Sequence, residues 1–445
     1  MSNVKKILSS EKVNQLTSQY IIKPMGDASL AIERGDGLNF WDYEGTKYLD
    51  AVSGEWVVNL GYRNTRVVNA FKAELERVDY VTPVFNTASR AELAQKLVSI
   101  STGRMEKVLF ALSGAGAVEG AMHLAMRATD GVEFVCLDQA FHGTTFGTMA
   151  LTYSHPGMVE ESKQGLSRYY AKQIRVPNYY CYRCPFELSN PACDLKCARF
   201  IEWAIDRQKD AKVAGILIEL FQANGGMVPA PQGYVQIVRD ICTRKGIALI
   251  VDEVQTAFCR VGNMFASNVY EADPDLIIMG KAIGGGFPLS AVLAASGFTG
   301  LLGWEAGFTM MSTPPICAAS LEMINVMIED DLADNAKNVG TYIVDRLNDL
   351  KAKYSIIGDV RGLGLMIGVE LVLDRKTKEP ANGLTQYFCD HALQEEKLLV
   401  GKTGPVFGNH GNVIKLKPAV NLTKAEADEI LVRFEKTLAV TQKKL

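Results

Sequence analysis

The chain has 445 residues, 48% hydrophobic and 22% charged, with a net charge of −3 and a sequence pI near 6.1. That length favours two domains over a single core, and the charge balance offers no basic footprint for nucleic acid and no polybasic cluster for a membrane surface. No apolar stretch is long enough to span a bilayer, the polar Met1–Gln19 segment lacks a signal-peptide core, and the nine cysteines, several of them inside apolar runs, fit reduced thiols, so a cytoplasmic location is expected.

From about Val108 to Ala295, short β-branched runs alternate with longer amphipathic stretches. Val108–Leu112, Glu133–Leu137, Val213–Leu220, Ile247–Asp252, Leu276–Met279 and Ala291–Ala295 read as buried strands, with helices at Ala117–Ala128, Leu195–Arg207 and Gln232–Lys245. This order predicts an α/β fold with a mainly parallel sheet covered on both faces. Between Tyr153 and Leu195 runs an irregular excursion rich in Tyr, Pro and Cys, too long for a connector and expected to cover something. After Pro315 the pattern changes. Two long helices, Ile316–Glu329 and Leu332–Tyr354, precede a strand pair at Ile356–Arg361 and Leu365–Leu371, and a last helix starts at Thr423. The expected division is a large domain over 62–315 and a smaller α+β domain over 316–445, joined by the N-terminal segment 1–61.

Two strands end on reactive groups. Asp252 closes one apolar run and Lys281 another, 29 residues later, and the lysine is followed by Gly284-Gly285-Gly286. A carboxylate and an amine at the carboxyl ends of neighbouring strands, where ligands of such sheets bind, suit pyridoxal phosphate. The lysine bonds the cofactor aldehyde, and the carboxylate keeps the pyridine nitrogen protonated.

Other strings gain meaning beside that pair. Ser113-Gly114-Ala115-Gly116 sits between a strand and a helix, as a phosphate cradle or as a plain tight turn. Phe141, followed by His142 and Gly143, follows the next strand and can stack on a ring or fill core. Glu219 ends an apolar run, as a cofactor neighbour or as a satisfied structural carboxylate.

In order and spacing these strings resemble the class III (ω-) aminotransferases of fold type I, over nearly the whole chain. The specific part is Ile250-Val251-Asp252-Glu253-Val254-Gln255 together with Lys281. The resemblance implies that Ser113, Gly114 and Ala115 cradle the cofactor phosphate and that Phe141, where the family more often has Tyr, stacks on the ring, with His142 beside it. It implies Asp252 at the ring nitrogen, Val254 beneath the ring, Gln255 near the ring hydroxyl and Glu219 close by. Lys281 is then both the bonding amine and the general base. Thr309 matches a threonine that reaches the phosphate from a neighbouring subunit, which implies a homodimer at minimum and leaves a tetramer open. Arg361-Gly362-Leu363-Gly364 matches a small-domain signature with an expected structural role.

Two departures bear on the substrate. The family's common carboxylate-binding arginine corresponds to Lys415, and the glutamate that pairs with it corresponds to Asn224. A lysine is a point charge without a planar fork, so a bidentate clamp is lost, a change on the order of 1–3 kcal/mol. Other strings resemble taurine–pyruvate and β-alanine–pyruvate enzymes, among them Asp50-Ala51-Val52-Ser53-Gly54 and Gly401-Lys402-Thr403. The expected substrates are a primary amine or ω-amino acid and a 2-oxo acid, pyruvate before 2-oxoglutarate, with Trp56 and Phe85 as an apolar substrate wall or as core.

Racemisation is the alternative on the same scaffold. It needs a second proton carrier opposite Lys281, where Phe141 has none to offer and only His142 could serve. Cys181, Cys184, Cys193 and Cys197 have ligand-like spacing. Their gap is short, and reduced thiols without metal are expected; a zinc-dependent interaction protein is the reading that rests on them alone.

Overall fold

Alternate residues of the short apolar runs go to opposite faces of one seven-stranded sheet. Phe134 and Cys136 pack with Leu217, Ile250 and Ile278 under the helix Gly114–Thr129. Val135 and Leu137 pack with Ile216, Ile218, Leu249 and Val251 against the helices Lys196–Asp206 and Tyr234–Lys245. Both faces are thus covered, and the strands Glu133–Leu137, Ala248–Asp252 and Leu276–Met279 are buried at every position. In the computed structural model, which describes residues 9–22, 30–152, 171–208, 211–303, 305–406 and 409–445, the strand order is Met105–Ala111, Ser290–Ala295, Leu276–Met279, Ala248–Asp252, Val213–Ile218, Glu133–Leu137 and Ile174–Val176. Only Ser290–Ala295 runs against the others.

Three boundaries differ from the sequence expectation. The strand Val213–Ile218 stops before Glu219, and Phe221–Gln222 pairs separately with Val228–Pro229. The helix expected from Ala117 starts at Gly114, so the glycine string is its first turn, with the Ser113 hydroxyl accepting from Gly116 N–H at 3.1 Å. The excursion contains the edge strand Ile174–Val176, three residues with an arginine at the centre and too short to leave a pattern. Residues 153–170 of that excursion, like residues 1–8 of the polar N-terminus, lie outside the described residues.

Beyond Pro314 a second sheet forms from Ile357–Leu363, Met366–Asp374, Val413–Leu416 and Gly401–Lys402. The N-terminal strands Ile32–Asp36, Asn39–Asp42 and Lys47–Asp50 make a third, closed by Leu398–Leu399 pairing with Leu49 and Asp50. Arg260 ties these parts together. Fully buried, it donates to the Leu365 carbonyl at 3.1 Å, the Pro418 carbonyl, Ser53 Oγ at 3.1 Å and Asn59 Oδ1 at 2.6 Å. Among the described residues no helix is long and apolar enough to cross a membrane.

Candidate active site

The parallel register sets Asp252 opposite Ile278, so the next strand carries Lys281 just past the same sheet end. Lys281 has a φ of +48°, a left-handed conformation uncommon for a side chain of this size. Its neighbour Gly280 permits that approach: a Cβ there would meet Val254 Cγ1 at 3.2 Å and Gly114 Cα at 3.4 Å. Lysine, valine and helix start are thereby drawn together.

These residues line one cavity of about 320 Å³, within the range of small-molecule sites. Ser113, Gly114 and Ala115 form one wall, with the helix N-terminus and its unpaired N–H groups. Phe141, His142, Glu219, Asp252, Val254, Gln255 and Lys281 complete it, together with Thr144 and Thr145.

Asp252 is buried and oriented twice. Val254 N–H donates to its Oδ1 at 3.0 Å, and His142 Nδ1 lies 2.7 Å from its Oδ2. His142 is held in turn by its own N–H to Thr152 Oγ1 at 2.9 Å, while its Nε2 is buried without a partner. Glu219 accepts from Phe141 N–H at 3.1 Å and Ala223 N–H at 3.2 Å. Burial pushes its carboxyl up to about 7, with Asp252 adding to the rise and His142 opposing it. Burial holds the Lys281 amine below its usual range, against the pull of Asp252, Glu219 and Glu55.

At the edge of the cavity stands Trp56, buried, its ring centroid 5.8 Å from Lys281 Nζ, 4.3 Å from Lys415 Nζ and 4.0 Å from Lys417 Nζ. Burial brings the Lys415 amine down to about 8, Glu55 opposing and Lys281 adding to the fall. Lys417 was missed in the sequence, although a signal existed: it lies two residues after Lys415, the strand period that sends both side chains to one face. Its Nζ donates to Gln255 Oε1 at 2.5 Å. The His142–Asp252 bond, across 110 residues, had no sequence signal.

Two expected residues stand apart from this cavity in the single chain. Phe85 is 65% exposed in the single chain, so it is not the core residue that was the alternative to a substrate wall. Thr309 is exposed as well, its carbonyl accepting from Tyr80 Oη at 2.9 Å. Arg90 donates to the carbonyls of Phe85 and Ser312, so the two lie on one rim. Cys181, Cys184, Cys193 and Cys197 do converge, on a cavity of about 20 Å³, yet among the described residues no three metal-binding side chains are arranged to hold an ion.

Known proteins resemble the chain along its whole length. A family model described as aminotransferase class-III matches residues 21–438. A leucine/methionine racemase of Thermococcus litoralis is 33% identical over 415 residues, covering 93% of this chain and 91% of that protein. An acetylornithine aminotransferase of Methanosarcina mazei is 35% identical over 419 residues, covering 93% of each. The solved structure of an amine transaminase from an uncultivated Pseudomonas species, described as PLP-bound, matches with a TM-score of 0.86 at 29% identity, over 95% of this chain and 99% of that one.

Proposed function

Because the chain belongs to the class III aminotransferases, fold type I enzymes that depend on pyridoxal 5′-phosphate, we propose that it moves an amino group from a primary amine or ω-amino acid to a 2-oxo acid in ping-pong fashion, with pyruvate favoured over 2-oxoglutarate. The observation that carries this reading is the meeting of Asp252, Lys281 and a helix N-terminus in one cavity. The residues fit the cofactor: an aldehyde meets an amine, a pyridine nitrogen meets a buried carboxylate, and a phosphate meets free backbone N–H groups. When bound, the cofactor supplies an electrophilic carbon and a protonated ring that draws electrons from the substrate carbon.

The chain's own groups do the rest. Lys281 is the nucleophile and afterwards the proton carrier beside the substrate carbon, a role helped by an amine that burial keeps below its usual range. Asp252, fixed by His142 and Val254, holds a proton at the ring nitrogen. With the cofactor bound in the cavity they line, Ser113, Gly114 and Ala115 would hold the phosphate, Phe141 and Val254 would enclose the ring, and Gln255 and Glu219 would face its oxygen. We assign 62–315 to the cofactor domain and 316–445 with 1–61 to the small domain, on the strength of their separate sheets and the Leu49–Leu398 pairing.

Trp56 forms the substrate wall, and Lys415 presents a point charge where a fork would grip a second carboxylate. A homodimer is supported by the rim where Val84, Phe85 and Met310, each more than half exposed, accompany Thr309. From that rim Phe85 and Thr309 reach the partner's site.

The test has two parts. The expected outcome is a yellow purified protein, with Lys281→Ala abolishing the covalent lysine adduct trapped by borohydride and all turnover. Given one amine donor, pyruvate is used faster than 2-oxoglutarate; the reverse order would sink the role given to Lys415 and Asn224.

Racemisation is the second reading, favoured by one observation: the 33% identity over 415 residues to a leucine/methionine racemase. His142, the carrier expected from the sequence, is engaged with Asp252 through Nδ1. A single-enantiomer amino acid incubated without oxo acid separates the two. Stoichiometric carbonyl product means transfer; catalytic loss of optical purity means racemisation.

A further inference from the structure

Lys417 is 0% exposed and takes no direct part in lining the cofactor cavity. Its backbone is stitched to the N-terminal segment: its N–H donates to the Ala51 carbonyl at 2.7 Å, and its own carbonyl accepts from Ser53 Oγ at 2.8 Å. The side chain passes over Trp56 and ends 2.5 Å from Gln255 Oε1. Gln255 does line the cavity. An amide has one acceptor oxygen and one donor NH₂, and a lysine amine has N–H to donate whether charged or neutral. With its oxygen turned to Lys417 Nζ, the Gln255 amide directs its NH₂ away from that bond, toward the cavity it lines.

We propose that Lys417 is a positioning residue that locks the Gln255 amide, so that Gln255 acts solely as a hydrogen-bond donor to the ring oxygen of the bound cofactor. This rests on the cofactor reading given above. A free glutamine could turn its carbonyl toward that oxygen, a repulsive arrangement; the lock removes that rotamer. A donor at the ring oxygen lowers the oxygen's basicity and weakens its hold on the proton shared with the lysine-bonded nitrogen. The charged groups around Lys417 are Lys415, Arg260 and Lys281, which favour its neutral form, and Glu219, which favours the cation.

The experiment titrates the absorbance of the cofactor-loaded holoenzyme with pH. Lys417→Met raises the midpoint by roughly one pH unit, a tenfold change in proton affinity, and Lys417→Arg leaves it near the wild-type value. Gln255→Leu shifts the midpoint the same way, and adding Lys417→Met to it produces no further shift. A coloured Lys417→Met holoenzyme with the wild-type midpoint overturns the proposal, as does an equal shift with and without Gln255. Should Lys417→Met fail to fold, an unshifted Gln255→Leu midpoint overturns it alone. A wild-type protein that binds no cofactor, or keeps the borohydride adduct in Lys281→Ala, defeats the underlying reading instead.

Discussion

Glu219 is buried and receives two backbone N–H groups, and its carboxyl still rises to about 7 from an ordinary 4.5. In the cofactor-free protein this has a definite sign. Between those two values the folded chain keeps a proton that the unfolded chain has released, so stability falls as pH rises through that window, by on the order of 3 kcal/mol in all. Glu219→Gln removes this titration, and denaturant midpoints of the cofactor-free variant decline less steeply from about pH 4.5 to 7 than those of the wild type. The sequence marked Glu219 by its place after an apolar run. Its protonation depends on the desolvation and on Asp252 and His142 beside it, which no local string encodes.

Short segments decide how these groups are aimed. Ser53 to Trp56 form a left-handed turn with φ between 46° and 70°, three of the four residues lacking glycine's freedom. Asp50 holds it, accepting from Val52 N–H and Gly54 N–H at 2.7 Å each and from Tyr62 Oη at 2.8 Å, and so sets Trp56 against the three lysines. In the small sheet, the turn at Gly364 is the counterpart. Its φ is +56°, and a Cβ would come within 2.5 Å of Gly262 N and Val261 C. Gly364→Ala should therefore lower unfolding free energy by about 2–3 kcal/mol, read from urea denaturation. Arg361, three residues earlier, bonds Tyr180 Oη at 2.6 Å and the Met227 carbonyl at 3.1 Å and pairs with Glu370 at 2.8 Å. That is the structural role its motif implied.

At the scale of the molecule, the arrangement that matters is which segments meet. Arg260 joins the large sheet to residues near Ser53, Leu365 and Pro418, while the cavity is lined by segments at the ends of the large sheet's own strands. Burial lowers the Arg260 guanidinium against the opposing pull of Asp50, and its bonds to two carbonyls, Ser53 and Asn59 hold it in place. On the opposite account stands the rim of Val84, Phe85 and Met310, apolar and open to solvent. If a second copy covers it, Phe85→Asp converts the dimer to monomer in sedimentation and weakens cofactor retention. A wild-type monomer, or a charged variant that stays dimeric, would end that assignment.

Sequence alone determined the mainly parallel sheet and the placing of Asp252 at a strand end and Lys281 just beyond the next one, because each follows from local periodicity and from chemistry carried by adjacent residues. The tertiary structure decided what depends on through-space distance. His142 meets Asp252 across 110 residues, and Lys417 meets Gln255 across 162. Phe85 stands on an exposed rim instead of in the core, a choice the sequence left open, since an aromatic residue reads as apolar wherever it is placed. The four cysteines show the same limit from the other side: their spacing is ligand-like, and only packing decides that they meet, at one small cavity. Periodicity fixes which way a side chain leaves its own strand; only packing determines what is waiting there.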